Sequence, residues 1–445
     1  MYVNPGLAQR PPLVAGYPWL GNAPSVVANP LLFLRNAYAR YGEVFRFRVP
    51  GREHTVLAGV AANRFIAGAG KDCFSVDSVW GAVGRYMDCP HALIMVDGEI
   101  HRYQRQMLGP MLAAQSFRAR IPTMLETVTE VLQQQSSGQA LAVGPLFRRM
   151  LSNQLSELLL GRKADPVTVD TMIYAFNAVT KVFALRSWPR WMLQSPKVKW
   201  SEWVTRRQLQ STLSRARRYP QTSAYLSTAL AALDARPDWF TEGDKLMYVL
   251  LPYVAALDTV ASTHGFMLFH LLQNEVLYER IQREVDGVFG GGMSTMEDVR
   301  SMPALMGLCR EVMRMEPTAF GMPRVASRDF HFRGYDIAEG DELLLFTTAD
   351  HLNPRYFRQP QQFDIDRFIG LDSEHRQIAY APFGKGAHNC LGASLAELLL
   401  PLHMGVLLYQ WQVEPAVNLR KVKTVFAPAP VLSSNFKVWL RRRRP

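Results

Sequence analysis

The chain has 445 residues, of which 48% are hydrophobic and 20% charged, a composition that predicts a folded globular protein with a large core. Four cysteines lie far apart without C-x-x-C spacing, which argues against a zinc site or a disulfide framework and favours the reducing cytoplasm. The formal charge of +12 is dispersed apart from Arg441 to Arg444. It favours acidic partners, but without a zinc-finger or aromatic RNA-binding signature it does not indicate nucleic acid.

The N-terminal segment 1–24 is rich in proline and has no charged leader followed by an apolar core, so no secretory signal is predicted. The apolar run 246–257 is interrupted by Pro252 and ends at Asp258, well before the roughly 20 residues needed to cross a bilayer. No repeat or low-complexity linker divides the chain. We therefore expect a single domain over 1–445 without a transmembrane anchor.

Secondary structure is predicted from periodicity along the chain. β-forming residues at 43–49 and 54–59 flank the turn sequence PGRE, which predicts a hairpin. From about 100 to 315 apolar residues recur at helical spacing, and one long helix is expected over about 243–275. Short β segments follow in FHFRGYDI and DELLLFTTAD, then a proline-rich meander, a glycine-rich loop, a strong helix and a final β segment. The predicted fold is mainly α with small β-sheets, an α+β class.

The glycine-rich loop FGKGAHNCLG, residues 383–392, places Cys390 directly before the last helix. Gly384, Gly386 and Gly392 allow positive φ and the close approach of a flat, bulky ligand. The free N–H groups and positive dipole end of a helix start favour a thiolate over a thiol. The alternative is a buried structural cysteine in a glycine turn, but the complete pattern F-x-x-G-x-x-x-C-x-G favours a ligand site.

Two further motifs precede this loop, EVMR at 311–314 and FDIDRF at 363–368. In this order the three motifs resemble the cytochrome P450 family, and the resemblance covers nearly the whole chain. It implies the P450 fold, with a long central helix over haem b and a haem-thiolate loop before the C-terminal helix. It also implies Cys390 as the axial ligand of the haem iron, Phe383 as the aromatic that packs near the thiolate, and the glycines as space for the macrocycle.

Glu311 and Arg314 lie one helical turn apart, which by itself is compatible with an exposed ion pair worth about 0.2–0.5 kcal/mol. The resemblance implies instead a buried triad in which Arg367 joins them and locks the meander against the helix. Removing one member of such a triad strands a buried charge, at a cost of roughly 3 to 5 kcal/mol.

Haem carries two propionates, which need cations and hydrogen-bond donors. The resemblance implies His101 and Arg105 in HRYQR, on one helix face, Arg324 in MPRVAS, and His388 in the cysteine loop. Arginine suits this role because its planar fork binds a carboxylate through two hydrogen bonds. For each of the four the alternative is a solvated surface base.

The sequence AALDTVAST, residues 255–263, places Asp258 and Thr259 side by side in the long apolar helix. The resemblance implies proton delivery, in which Thr259 holds a water and Asp258 helps to relay protons. Ala256 stands where the family usually has glycine, which leaves the extent of the helix kink open. The alternative is a threonine bonded to the carbonyl four residues earlier and a solvated aspartate.

A large apolar substrate pocket is expected from position in the resemblance, and its character favours a lipophilic substrate. Each of these residues is equally compatible with an ordinary core. The expected lining residues are Trp80, Tyr86, Met87, Leu93, Ile94, Tyr253, Leu257, Phe320 and Met322.

Segment 183–203 interleaves four tryptophans with arginine and lysine, in the region of the family's mobile lid. Aromatic and basic residues together are typical of an interfacial segment, so peripheral membrane contact is one expectation. The alternative is a lid that packs over the substrate.

The expected function is a haem-thiolate monooxygenase that uses O2 to hydroxylate or otherwise oxidise a lipophilic small molecule of terpenoid, steroid, fatty acyl or polyketide type. No flavin or ferredoxin module is fused, so electrons are expected from a separate ferredoxin or flavoprotein reductase, docked with the help of Lys385. The alternatives are a peroxide-driven peroxygenase or isomerase, and a non-catalytic haem-binding protein. The retained pair Asp258 and Thr259 argues against both.

Overall fold

The computed structural model describes residues 9–163, 165–370, 374, 377–426 and 429–443. The chain divides into two compact units. The first comprises Met1–Val79, Met313–Cys390 and Val425–Pro428, and the second comprises Trp80–Val312, Leu391–Thr424 and Ala429–Pro445. The expectation of a single domain over 1–445 stays a prediction.

Most described residues are helical. In chain order the helices are α1 (Ala23–Ala28), α2 (Pro30–Tyr41), α3 (Gly59–Ala67), α4 (Ala82–Tyr86), α5 (Gly98–Leu112), α6 (Ile121–Gln133), α7 (Val143–Leu160), α8 (Pro166–Phe183), α9 (Pro196–Arg218), α10 (Ala224–Asp234), α11 (Glu242–Gln273), α12 (Glu275–Gly290), α13 (Met296–Arg300), α14 (Pro303–Met315) and α15 (Ala393–Gln410).

The strands are short. They are β1 (Val44–Val49), β2 (Arg52–Ala58), β3 (Phe74–Ser75), β4 (Ala140–Ala142), β5 (Met322–Ala326), β6 (Phe330–Phe332), β7 (Tyr335–Ile337), β8 (Glu342–Phe346), β9 (Trp411–Pro415), β10 (Thr424–Phe426), β11 (Pro430–Leu432) and β12 (Lys437–Arg442). The predicted fold class, mainly α with small sheets, is confirmed.

A five-stranded sheet organises the first unit, in the order β1-β2-β8-β5-β3. β1 and β2 form the predicted hairpin, with Val44 opposite Leu57 and a tight turn in which Gly51 has φ +73°. β2 and β8 run parallel. One sheet face buries an aromatic and aliphatic cluster that includes Phe45, Val56 and residues of α2, which explains why β1, β2 and β8 are rich in β-branched, aromatic and leucine residues.

Buried helices form the core of the second unit. α11 has 32 residues and closely matches the predicted long helix. It begins with a capping box between Thr241 and Asp244 and continues through Pro252. α15 is buried along most of its length. The strands β4, β12 and β9 form a small antiparallel sheet beside these helices.

Both α11 and α15 are long and apolar enough to cross a membrane by length and composition. In each case 67% of the apolar window is buried inside the protein, as expected for the core helices of a globular unit.

Candidate active site

The cysteine loop lies in the first unit as far as Cys390, and it ends directly before α15, as predicted. Of the four cysteines, Cys73, Cys89 and Cys309 are buried, whereas Cys390 is exposed. The backbone N–H of Cys390 donates to the Phe383 carbonyl at 2.8 Å, so the loop closes on itself. The alternative of a buried structural cysteine is therefore wrong for Cys390.

Two positions of the loop favour glycine because of their backbone conformation. Gly384 and Gly386 have φ of +72° and +81°. A Cβ on Gly386 would lie 2.8 Å from the backbone oxygen of Ile66, closer than any side chain tolerates. Gly392 differs from these two glycines, because it is the N-cap of α15 and has φ −88°. No described heavy atom lies within 4 Å of a Cβ built on Gly392, so this glycine leaves open space at the helix start.

His351, which sequence reasoning missed, supports the start of this loop. Its Nε2 accepts from the N–H of Ala381 at 3.0 Å, so Nδ1 carries the hydrogen and donates to the Arg314 carbonyl at 3.0 Å. Burial lowers the pKa of His351 to about 3, which keeps the ring neutral and able to accept. The ring stacks on Tyr380 with centroids 5.6 Å apart. His351 therefore ties the end of α14 to the residues that precede Phe383.

Arg314 and Glu311 are both fully buried on α14, which rules out an exposed ion pair. The Arg314 guanidinium donates to the carbonyls of His351 and Pro360, both at 2.7 Å, and of Gln362 at 3.2 Å. One side chain thus holds three points of the meander. This arrangement agrees with the predicted locking of the meander by Arg314.

Arg367 holds the same segment from the other side and is likewise buried. It donates to the carbonyls of Arg358 at 2.6 Å and Gln362 at 3.2 Å. Its Nη1 also lies 3.0 Å from Oε2 of Glu374, a buried carboxylate that sequence reasoning missed because it lies outside any motif. The functional unity of Glu311, Arg314 and Arg367 stays a prediction.

The basic residues expected at the propionates lie on three elements. His101 and Arg105 are one turn apart on α5, with His101 buried and Arg105 half-buried. Arg324 is buried on β5 and donates to the Pro323 carbonyl at 2.7 Å. His388 is half-buried in the cysteine loop. Their propionate roles stay predictions.

Asp258 and Thr259 lie in an unbroken stretch of α11 that includes Ala256. The Thr259 hydroxyl donates to the Ala255 carbonyl at 3.0 Å, the bond that any helical threonine can make. Asp258 is 43% exposed and paired with Arg148 of α7. This ion pair was not predicted, because the two residues are 110 positions apart in the sequence. Roles in proton delivery stay predictions.

The expected pocket residues divide between the units. In the second unit Tyr253 and Leu257 are buried on α11, and the Tyr253 hydroxyl bonds to Ser156 of α7. Tyr86 is 36% exposed and its hydroxyl donates to Glu202. Leu93 is buried, and the remaining members are half-buried: Trp80, Met87 and Ile94 in the second unit, Phe320 and Met322 in the first. Their lining of a substrate pocket stays a prediction.

Segment 183–203 exposes aromatic side chains in the second unit. Trp191, Trp200 and Trp203 are 69%, 56% and 57% exposed. Trp188 lies under the ammonium group of Lys181, 4.6 Å from the ring centroid. The segment therefore presents rings and cations on one stretch of surface.

Known proteins are similar to this chain in sequence and in fold. The family model "Cytochrome P450" matches residues 11–432. The chain is 26% identical over 440 residues to cytochrome P450 120 of Synechocystis sp. PCC 6803, covering 97% of this chain and 96% of that protein. It is also 26% identical over 338 residues to cyclooctat-9-en-7-ol 5-monooxygenase of Streptomyces melanosporofaciens, covering 73% of each.

A plant relative and two solved structures complete the comparison. Abscisic acid 8'-hydroxylase 4 of Arabidopsis thaliana is 24% identical over 450 residues, covering 97% of this chain and 92% of that protein. Retinoic acid-bound cyanobacterial CYP120A1 aligns with a TM-score of 0.83 at 24% identity, covering 98% of this chain and 100% of that one. The heme domain of cytochrome P450DA aligns with a TM-score of 0.85 at 18% identity, covering 99% of both chains. These structures share the fold.

Proposed function

Because the chain belongs to the cytochrome P450 family and is a monooxygenase, we propose that it oxidises a lipophilic small molecule of the terpenoid type with O2. The electrons come from a separate ferredoxin or flavoprotein reductase. The observation that carries the proposal is Cys390, an exposed thiol placed directly before α15.

The cofactor is haem b, and the residues present fit it. Cys390 offers an exposed sulfur ligand, and Gly392 leaves open space where a Cβ would stand. Arg105 and Arg324 supply guanidinium groups that pair with carboxylates, and His388 supplies a ring nitrogen that can donate a hydrogen bond. Bound through a thiolate, haem supplies the activation of dioxygen, because the thiolate pushes electron density toward the O–O bond.

The chain's own residues have distinct tasks in this proposal. The start of α15 favours the thiolate of Cys390, and His351 and Gly386 hold the loop in the conformation that presents it. His101 assists Arg105, Arg324 and His388 in holding the propionates. The Thr259 hydroxyl exchanges its bond to Ala255 for a bond to water, and Asp258 passes a proton onward while paired with Arg148.

The substrate class is inferred from the relatives and from the apolar character of the expected pocket. The names of three aligned proteins contain cyclooctat-9-en-7-ol, abscisic acid and retinoic acid, and all three compounds are terpenoids. A pocket lined by Trp80, Leu93, Leu257 and similar residues suits such carbon skeletons, because mostly apolar linings bind apolar ligands.

We also propose that the protein is cytoplasmic and touches a membrane surface peripherally through segment 183–203. The exposed Trp191, Trp200 and Trp203 supply rings that partition to the headgroup level, while nearby cations attract anionic lipid.

Three measurements test the function. Reduced protein under carbon monoxide should show a red-shifted Soret band that Cys390→His abolishes and Cys73→Ser retains. An unshifted band in the wild type would refute thiolate ligation. Retinoic acid and abscisic acid should then shift the haem spin state, whereas a shift with fatty acids and with no terpenoid would refute the substrate class. Turnover that needs peroxide and ignores a ferredoxin system would refute the electron source.

A further inference from the structure

An open cleft of about 710 Å³ lies in the second unit, and its lining includes none of the residues named in the proposed reaction. It is bounded by the turn after α7 and the C-terminal half of α9. The side chains that matter are Arg162, Lys163, Ser211, Ser214, Arg215 and Arg218. Its polar lining distinguishes it from the apolar pocket expected for the substrate.

Three of the four cations that line the cleft have no acidic partner nearby in the described part of the chain. Lys163 is paired with Glu130 at 2.7 Å. Arg162, Arg215 and Arg218 have no carboxylate within 4.0 Å among the residues that the structure describes. Three guanidinium groups therefore line one cleft without an acidic partner.

The adjacent arginine shows the contrast. Arg217 lies between Arg215 and Arg218 in sequence, but it pairs with Glu242 at 3.1 Å and Asp234 at 3.7 Å. The acidic residues near the end of α9 thus pair with Arg217, but not with Arg215 or Arg218, the two arginines of α9 that line the cleft.

The turn that carries Arg162 is held in place. Gly161 ends α7 with φ +62°, and a Cβ there would lie 1.9 Å from the Thr222 carbonyl oxygen. The turn therefore packs directly on the segment that follows α9. The Arg162 N–H donates to the Ser156 carbonyl at 3.2 Å, which fixes the start of its side chain.

The opposite wall is also ordered. The guanidinium groups of Arg215 and Arg218 lie 6.0 and 5.4 Å from the ring centroid of Tyr219, within cation–π range. Ser211, Ser214 and Arg218 recur at intervals of three and four residues on α9, so they share one face of the helix. That face is exposed and offers hydroxyl donors beside the cations.

We propose that this cleft binds the phosphate group of a phosphorylated ligand. A guanidinium fork matches two phosphate oxygens, and three unbalanced cations fit a multiply charged anion better than a single carboxylate. The volume falls in the range of about 300–1,000 Å³ that small-molecule sites occupy. The phosphate belongs either to a soluble compound or to a phospholipid headgroup, and the two sources share this chemistry.

Calorimetry on the haem-loaded full chain tests the proposal, with inorganic pyrophosphate as the soluble probe. Vesicles of phosphatidylcholine with and without phosphatidylglycerol form the second arm. The variant R215Q/R218Q should bind the favoured probe at least about tenfold more weakly, the loss expected for one charged hydrogen bond or more. The control R283Q/R300Q removes the same charge from exposed helical positions that lie outside the cleft and outside segment 183–203, and it should stay within about twofold of wild type.

Each outcome of this experiment either supports or overturns the proposed phosphate site. Selective loss of pyrophosphate binding supports a soluble ligand, and selective loss of binding to the phosphatidylglycerol vesicles supports a lipid headgroup. Equal weakening of both double variants would show diffuse surface attraction and overturn the site, as would the absence of binding in both arms. An unchanged carbon monoxide spectrum in each variant verifies that it is folded.

Discussion

Replacing Arg367 by alanine should destabilise the protein far more than replacing Arg358, although both arginines face the same carboxylate. Glu374 lies 3.0 Å from Nη1 of Arg367 and 3.6 Å from Nε of Arg358. The Arg367 side chain is 0% exposed and that of Arg358 is 79% exposed. The two variants therefore compare the loss of a buried partner of Glu374 with the loss of a solvated one.

The magnitudes follow from what each substitution leaves behind. Without Arg367 the carboxylate of Glu374 loses its buried cationic partner. The Arg358 carbonyl loses the guanidinium that donates to it, and the Gln362 carbonyl loses one of two such donors. Breaking a buried pair costs about 3–5 kcal/mol, a large part of a total stability of roughly 5–15 kcal/mol. Water replaces the exposed Arg358 guanidinium, so that loss should stay below about 1 kcal/mol.

Urea unfolding followed by circular dichroism measures both losses, and haem content per chain shows whether the cysteine loop survives. Glu374→Gln in the Arg367→Ala background should recover part of the stability, because the stranded group becomes neutral. Equal losses in the two single variants, or no recovery in the double variant, would refute the role assigned to burial.

Three further outcomes are expected. Gly386→Ala should lower the free energy of unfolding by about 1–2 kcal/mol from its positive φ alone, and by more because of the contact with Ile66; it should also lower haem content. Gly392→Ala should unfold in urea as wild type does. Equal behaviour of the two variants would contradict the conformational argument. Burial lowers the pKa of His264 to about 4 from 6.5, so its neutral ring contributes stability above pH 6.5 that is lost toward pH 4. The contribution of His264 to the free energy of unfolding should therefore be about 2 kcal/mol smaller at pH 5 than at pH 7. The buried rings of His270, His351 and His403 act in the same direction, so His264→Phe should make the pH dependence shallower by about that amount without abolishing it. If the Thr259 hydroxyl guides a proton, Thr259→Ala should lower the amount of product formed per electron consumed by roughly a hundredfold, while Thr259→Ser should keep the wild-type ratio. An unchanged ratio in the alanine variant would show that the hydroxyl only bonds to a carbonyl of its own helix.

Elements with a strong local pattern were predictable from the sequence. The alternation around Gly51 located the hairpin, and the apolar run on either side of Pro252 located α11, because both depend on neighbours within a few residues. The cysteine motif placed the loop before α15 for the same reason. Expected roles at that loop came from a resemblance, and the relatives support the family.

Contacts between distant positions were not predictable. His351 bonds to backbone groups of Arg314 and Ala381. Because every residue has a backbone carbonyl, the sequence does not indicate which one a histidine will bond to. Arg148 and Asp258 meet across 110 positions. Glycine tolerates ordinary φ as well as positive φ, so residue identity alone does not reveal that Gly392 is the N-cap of α15.

The division of the chain has a consequence for its synthesis. β2 pairs with β8, Val56 opposite Leu344, so the hairpin leaves the ribosome long before its neighbouring strand exists. The intervening 80–312 belong to the second unit, and domains generally fold in order of emergence. Arg314 likewise waits for Pro360 and Gln362 before its buried cation is satisfied. The unit that presents Cys390 is therefore completed only after the whole of 80–312 has been translated.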